Sequence, residues 1–402
     1  MVTSAAPRPL GVAVVGFGWM GRVHAQSYAR VTHHFPDLGV RPELVVVADE
    51  VPGRAEAAAA QYGFASAVQD WHEVLTEPRV EAVSVTAPNF FHREIGAAVA
   101  AAGKHLWIEK PVGVGAADAT AVRDAVGSAG VRAAVGFNYR WAPAVQEARA
   151  RIAAGAIGEV EGVRIRLLSD YAADPAGALS WRYSRERGGA GVLGDLASHG
   201  VDLARYLVGE INAVVADTAV FIPRRAVPSA ATSGHQRVVL GESTAMGDVE
   251  NEDAVTALLR FASGARGVLE ASRVAVGEQN TYGFEVAGNH GVLRWDFRRM
   301  GELSVSGGRA GDGSVLYQDA PTQTLFVGPG HGDHAAFQPG AAIAMGYDDL
   351  KVVEAARFLR AVADPALPAE RGPATLDDAV ASARALDAMS RSVTSGAWEP
   401  LA

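Results

Sequence analysis

Gly16-Phe17-Gly18-Trp19-Met20-Gly21 follows an apolar run at 12–15 and opens a helical stretch at 21–31. A strand that turns into a helix through three glycines constrains the backbone more tightly than any other feature of the chain. The first glycine permits the tight turn, the second lets the backbone approach a pyrophosphate, and the third lets helix and strand pack closely. The helix N-terminus just beyond favours an anion. With 45 glycines in 402 residues the spacing alone would arise by chance. The strand-turn-helix context is therefore what assigns Gly16, Phe17, Gly18, Trp19, Met20 and Gly21 to a dinucleotide.

The same grammar continues to residue 136. Apolar runs at 12–15, 44–48, 82–86, 105–108 and 131–135 alternate with Ala-rich helical stretches at 21–31, 53–61, 91–102 and 116–128. Alternation of this kind builds βαβ units on a parallel sheet. Residues 1–137 thus read as an α/β, doubly wound, Rossmann dinucleotide-binding domain. After Asn138 the pattern changes to a helix at 143–153, a strand at 159–168 and a helix across 191–207. Strands at 213–221, 254–261, 267–275, 282–287 and 291–296 follow with no helix between them, punctuated by Ser263-Gly264 and Asn289-His290-Gly291. Residues 138–402 read as an α+β domain on a large open, mostly antiparallel sheet. Residues 32–41 read as an inserted loop, and the polar stretch 224–250 as a long surface loop or lid rather than a core element. Amphipathic helices at 348–362 and 376–393 end the pattern.

Composition narrows the partners. A formal charge of −9 disfavours nucleic acid or an anionic membrane as the main partner. The chain has no cysteine, which removes disulfides, thiolate nucleophiles and cysteine metal sites, and fits a cytoplasmic protein. The apolar run at 10–15 is too short for a signal peptide core, and no stretch approaches the roughly 18 apolar residues of a membrane span. A soluble protein is expected.

Several polar groups stand where chemistry could use them. Asp49 ends the second strand, where a carboxylate accepts from ribose hydroxyls and repels a 2′-phosphate; the alternative is a cap on the next helix. Arg54, one turn into that helix, leaves NADP open beside NAD. Glu109-Lys110-Pro111 follows the strand at 105–108, at the end of the sheet where such folds bind ligands. A lysine there can stabilise a substrate oxygen as its proton leaves. Asp195 and His199 lie four apart in a helical stretch, on one face and about 6 Å apart along the axis. An Asp that fixes the tautomer of a His makes it a proton acceptor. The pair could instead be an N-terminal cap with a buried, satisfied histidine, or begin a metal site, for which His92 and the cluster His331-Gly332-Asp333-His334 are the only obvious further donors. No metal is assigned. His33 and His34 read as solvated, and His331 and His334 as part of a surface loop. Polar-aromatic clusters at Asn138-Tyr139-Arg140-Trp141, Asp170-Tyr171 and Trp181-Arg182-Tyr183 suit a sugar or cyclitol, whose hydroxyls need donors and whose C–H faces stack on rings.

Together these motifs resemble the Gfo/Idh/MocA family, the glucose-fructose oxidoreductase and inositol dehydrogenase group. The resemblance rests on the glycine loop, Thr86-Ala87-Pro88-Asn89 with His92, Ala102-Gly103-Lys104-His105 leading to Glu109-Lys110-Pro111, Gly136 to Arg140, and the run from Gly194 to Leu207. Within the family, Leu179 to Tyr183 and Glu270-Ala271-Ser272-Arg273 look most like the levoglucosan and inositol dehydrogenase branch. The resemblance implies Lys110, Asp195 and His199 as the catalytic trio. It implies cofactor contacts from Asp49, Thr86, Pro88, Asn89, His92, Glu109, Lys110, Trp181 and Arg182. It implies substrate contacts from Lys110, Asn138, Tyr139, Asp170, Trp181, Asp195 and His199. A pyranose or cyclitol between the domains, and a homodimer or tetramer through the C-terminal sheet, belong to the same implication.

The reading is an NAD-dependent dehydrogenase of a sugar, anhydrosugar, glycoside or cyclitol. Its alternatives are an NADP-dependent ketosugar reductase, an NAD-dependent glycosidase acting by oxidation and elimination, and a non-enzymatic NAD-binding regulator.

Overall fold

The computed structural model describes residues 7–228, 237–238 and 244–401. The chain divides into two compact units, residues 1–138 with 346–380, and residues 139–345 with 381–402.

The first unit is a parallel sheet laid over by helices. Its strands are β1 (Arg8–Val15), β2 (Val40–Ala48), β3 (Ser66–Val68), β4 (Ala82–Val85), β5 (His105–Ile108) and β6 (Ala133–Val135). They run in the order β3-β2-β1-β4-β5-β6, the Rossmann order in which the chain connections reverse direction between the neighbouring strands β1 and β4 and leave a crevice at their carboxyl ends. All its pairings are parallel, with Val15 opposite both Ala48 and Val85. Leu10 to Val15 are buried throughout, as a strand covered on both faces requires. The helices are α1 (Trp19–His34), α2 (Arg54–Tyr62), α3 (His72–Thr76), α4 (His92–Ala101) and α5 (Ala116–Ala129). Half of the insertion expected at 32–41 is regular structure. Residues 32–34 are the last turn of α1 and Val40 already pairs with Arg8, so only five residues loop between them. Buried Phe35 and Leu38 pin that short connection.

The second unit contains α6 (Pro143–Ala153), β7 (Val160–Leu168), α7 (Arg185–Gly188), α8 (Ser198–Val208), β8 (Ile211–Ala219), β9 (Arg224–Ala226), β10 (Met246–Asp248), β11 (Ala254–Phe261), β12 (Arg266–Ser272), β13 (Thr281–Gly288), β14 (Gly291–Asp296), β15 (Glu302–Gly307) and β16 (Thr322–Phe326). Late in the chain come α9 (Tyr347–Ala363), which belongs to the first unit, then α10 (Leu376–Ser395) and β17 (Glu399–Pro400). A nine-stranded sheet runs β16-β15-β14-β13-β7-β12-β11-β8-β17; its pairings are antiparallel except β12 with β7. In β7 and β11 buried and exposed residues alternate, so Val163, Ile165 and Leu167 face the core while Arg164 and Arg166 face outward. One face of this sheet is apolar and the other charged, the pattern of a half-covered sheet.

Residues 224–250 read as loop in the sequence, and their ends are not. Arg224–Ala226 and Met246–Asp248 pair as an antiparallel ladder, and Arg225 is fully buried. Its guanidinium donates to Ala172 O at 2.5 Å and Asp174 O at 2.8 Å and lies 4.4 Å from the Tyr183 ring centroid. The buried Ala172 carbonyl needs a donor, and the arginine supplies it. Residues 229–236 and 239–243 of that stretch lie outside the described residues. His334 likewise departs from the expected surface loop. It is fully buried, with Nε2 3.2 Å from Ile343 O, because the turn it opens folds its ring inward against that carbonyl.

Candidate active site

The glycine loop is held by hydrogen bonds at the ends of β1, β2 and β4. Gly16 N–H donates to Ala48 O at 2.8 Å, Thr86 N–H donates to Val15 O at 2.9 Å, and Thr86 Oγ1 donates to Gly16 O. Gly16 has φ +84°, and a Cβ there would stand 2.5 Å from Ala87 N, so only glycine fits. A Cβ at Gly21 would press on Gly16 O, whereas one at Gly18 meets nothing within 4 Å. Gly18 thus turns bare backbone toward open space, and α1 begins with no side-chain cap and no acidic residue in its first turn. These orphan N–H groups form an anion cradle of the kind a pyrophosphate fills, so the residues present fit a dinucleotide. Trp19 is 59% exposed and stacks on Tyr347, with ring centroids 5.3 Å apart. Met20 Sδ accepts from the Tyr347 hydroxyl at 3.8 Å.

Asp49 lies at the end of β2, as the sequence suggests, and does not cap α2, whose N-cap is Gly53. Its Oδ2 accepts from Phe17 N–H at 2.6 Å and its Oδ1 from Val51 N–H at 2.9 Å, with Arg54 Nη1 3.3 Å away. A carboxylate has acceptor capacity beyond those bonds. Pro88 precedes a single 3₁₀ turn over Asn89–Phe91, and Asn89 is buried. His92 is buried and bridges two carbonyls, Ala87 O and Pro111 O, each at 2.8 Å. It ties the end of β4 to the Lys110-Pro111 turn. Glu109 is buried and Lys110 half-buried at the end of β5.

In the second unit the expected helix across 191–207 contains a π-helical turn at Leu193–Ala197 before α8 begins at Ser198. Asp195 therefore sits on the wide turn and His199 on regular helix, a local distortion common at functional sites. Gly200 lets α8 approach the sheet, since a Cβ there would lie 2.5 Å from Leu167 Cδ1. His199 is 6% exposed, and the Tyr139 ring meets it edge-on with centroids 4.7 Å apart. Tyr139 also packs on Tyr282 and Phe297 at 5.7 and 5.2 Å. The Tyr171 hydroxyl donates to Asp195 Oδ2. Burial, and then the neighbouring Asp195 charge, push the Tyr171 phenol well above its ordinary value, so it stays a donor. Asp170 is half-buried, and the Arg182 guanidinium lies over the Trp181 ring at 4.5 Å. Asn138 is fully buried, with neither amide atom hydrogen-bonded. A buried amide in that state invites a polar ligand.

Some participants do not stand out in the sequence. Tyr171 shows there only as part of an aromatic cluster, and nothing in its spacing marks it as the partner of Asp195. His24, Lys351 and Glu354 go unmarked too, although Lys351 and Glu354 interrupt the apolar stripe of α9 three residues apart, a detectable signal. Among the described residues, His24, Glu109 and Glu354 form the one close group of metal-type donors. The Lys351 ammonium already bonds both carboxylates.

Residues 10–137 match the model of the oxidoreductase family with an NAD-binding Rossmann fold, and residues 145–294 that of the GFO/IDH/MocA C-terminal domain. The chain belongs to the Gfo/Idh/MocA oxidoreductase family. It is 35% identical over 381 residues to the levoglucosan dehydrogenase of Pseudarthrobacter phenanthrenivorans, covering 94% of this chain and 96% of that one. It is 31% identical to the scyllo-inositol 2-dehydrogenase (NAD(+)) of Bacillus subtilis, over 65% of this chain and 67% of the relative. The solved structure of levoglucosan dehydrogenase in complex with NADH and levoglucosan superposes with a TM-score of 0.88 at 34% identity, covering 98% of this chain and all of that one. The protein is thus an NAD-binding oxidoreductase of the sugar and cyclitol dehydrogenase type. No helix among the described residues is long and apolar enough to cross a membrane.

Proposed function

We propose that this oxidoreductase oxidises one secondary hydroxyl of a pyranose to a ketone, with 1,6-anhydropyranoses preferred over cyclitols. The observation that carries the reading is likeness to levoglucosan dehydrogenase over 94% of the chain, in a protein with a buried His199 beside Tyr139 and an Asp195 gripped by Tyr171. His199 takes the hydroxyl proton, Asp195 orients the imidazole, and Tyr171 holds Asp195 in turn. The Lys110 ammonium stabilises the oxygen as negative charge develops on it. Gly16 to Gly21, Asp49, Thr86, Pro88, Asn89 and Glu109 hold the dinucleotide or its loop in place, and Asn138, Tyr139, Asp170 and Trp181 recognise the sugar. When bound, NAD supplies the hydride acceptor.

The test is NADH appearance at 340 nm with pyranoses, 1,6-anhydrosugars, glycosides and inositols, with NAD and NADP side by side. Turnover is expected with NAD and an anhydropyranose. Inositol as the only substrate, or silence from every sugar despite NAD binding, refutes the substrate assignment.

Asp49 should decide the cofactor. Removing its carboxylate in Asp49→Ser releases Arg54, 3.3 Å away, to meet a 2′-phosphate, and removes the charge that repels one. The expected result is a shift of the NADP to NAD ratio of kcat/KM by about tenfold or more, roughly the effect of 1.4 kcal/mol. An unchanged ratio would show that Asp49 only holds the glycine loop.

A further inference from the structure

Behind the Glu109-Lys110 turn lies a buried charged cluster with no part in the chemical steps above. Glu109 Oε1 lies 3.0 Å from His24 Nε2 and accepts from Lys351 Nζ, while Oε2 accepts from the backbone N–H of Lys110 at 3.3 Å. Lys351 Nζ also donates to Glu354 Oε1 at 3.0 Å and to Gly136 O at 3.5 Å. Glu354 Oε1 accepts from Trp107 Nε1 at 2.6 Å, and the His24 ring stacks on Trp107 with centroids 3.7 Å apart. His24, Trp107, Lys351 and Glu354 have no exposed surface.

Stability is a poor reason for such an arrangement, because well-packed apolar residues commonly serve as well as a buried ion pair or better. What the charges do accomplish is local. Contacts from His24, Lys351 and the Lys110 amide converge on the Glu109 carboxylate. Even Gly136 is shaped for it, since a Cβ there would stand 2.5 Å from both carboxylate oxygens. Burial by itself would raise the Glu109 carboxyl, but the Lys351 ammonium and the His24 bond hold it well below the usual range. An ionised Glu109, fixed on one oxygen, offers the other to the Lys110 amide. Lys351 comes from α9, which four residues earlier sets Tyr347 against Trp19 and Met20 of the glycine loop. One helix thus registers both the dinucleotide loop and the Lys110 turn.

We infer that Lys351 is a positioning residue: through Glu109 it fixes the backbone of Lys110 and so aims the ammonium that meets the substrate oxygen. The inference rests on the role proposed above for Lys110.

The absence of cysteine makes a clean chemical test. Lys351→Cys can be alkylated with 2-bromoethylamine in denaturant and refolded, which rebuilds an ammonium of lysine's reach at that one position. In NAD-loaded Lys351→Cys, amide exchange at Lys110 should accelerate about tenfold or more. On the best sugar, kcat should fall about 10- to 100-fold, the effect of roughly 1 Å of misplacement, with KM changed by less than about twofold. Aminoethylation should reverse both changes. If Lys351→Cys does not fold, the double variant Lys351→Met with Glu109→Gln removes both charges together, and the same faster exchange and lower kcat are expected of it. A variant that melts earlier but keeps wild-type Lys110 exchange and kcat overturns the inference. The exchange reading needs no sugar. A wild-type protein inert on every sugar therefore defeats the pyranose assignment, while Lys110 exchange still decides for or against the link from Lys351.

Discussion

Replacing His199 by alanine is expected to lower kcat about 10²- to 10⁴-fold, the span of a positioned acid-base group, while the dissociation constant for NAD stays within about twofold. The separation of effects follows from where the groups lie. The glycine loop, Asp49 and Thr86 belong to the first unit, and His199 belongs to the second. The imidazole is buried and edge-on to Tyr139, so truncation removes the proposed proton acceptor and leaves water to replace it poorly. Asp195→Asn should follow in the same direction with a smaller loss. The carboxamide still accepts from Tyr171 but no longer stabilises the imidazolium that forms when the proton arrives. Stopped-flow turnover, paired with a fluorescence titration of NAD, measures both quantities. Near-normal kcat in His199→Ala would remove His199 from the role of base and return it to the alternative of a buried structural histidine.

Replacing Asp202 by alanine is expected to cost about 3–5 kcal/mol of stability, the penalty for stranding one member of a buried ion pair. Arg140 Nε donates to Asp202 Oδ2 at 2.8 Å and to Oδ1 at 3.0 Å, and the two side chains are only 8% and 2% exposed. The Arg140 guanidinium also lies 5.1 Å from the Tyr206 ring centroid. This pair joins the turn after β6 to α8, three residues beyond His199, so the loss falls on the helix that carries the proposed acid-base group. Unfolding of a two-unit chain need not be two-state, and the measurement is the melting midpoint of the second unit by calorimetry. A drop on the order of 10 °C is expected. Arg140→Met combined with Asp202→Leu should recover most of it, because no charge is then left without its partner. A single-variant shift under about 2 °C would mean that solvent reaches the pair.

Most of the parallel sheet and the glycine loop were legible because their signals are local. Each apolar run of β1, β2, β4 and β5 carries its own β-pattern, and Gly16 to Gly21 stand within a few residues of each other. β3 and α3 escaped notice because three and five residues give too little periodicity to read. In the second unit β11 and β14 were read to the residue, since alternating burial shows directly in sequence. β15 and β16 were not, because their faces are half-exposed and the alternation is lost. The Asp195-His199 helix was visible as a spacing, but its π-turn was not, since no residue type announces a widened turn.

By itself the sequence determined the order of the longer helices and strands, the nucleotide loop and the residue types offered for proton transfer, all set by contacts within a few residues. Only the tertiary structure decided that α9 returns to the first unit to place Lys351 under Glu109, that Tyr171 bonds Asp195, and that Arg225 and His334 lie in the interior. Those facts depend on which distant segment covers which surface. A buried charge survives only where that covering segment brings its partner, and no local pattern in the chain records where the partner comes from.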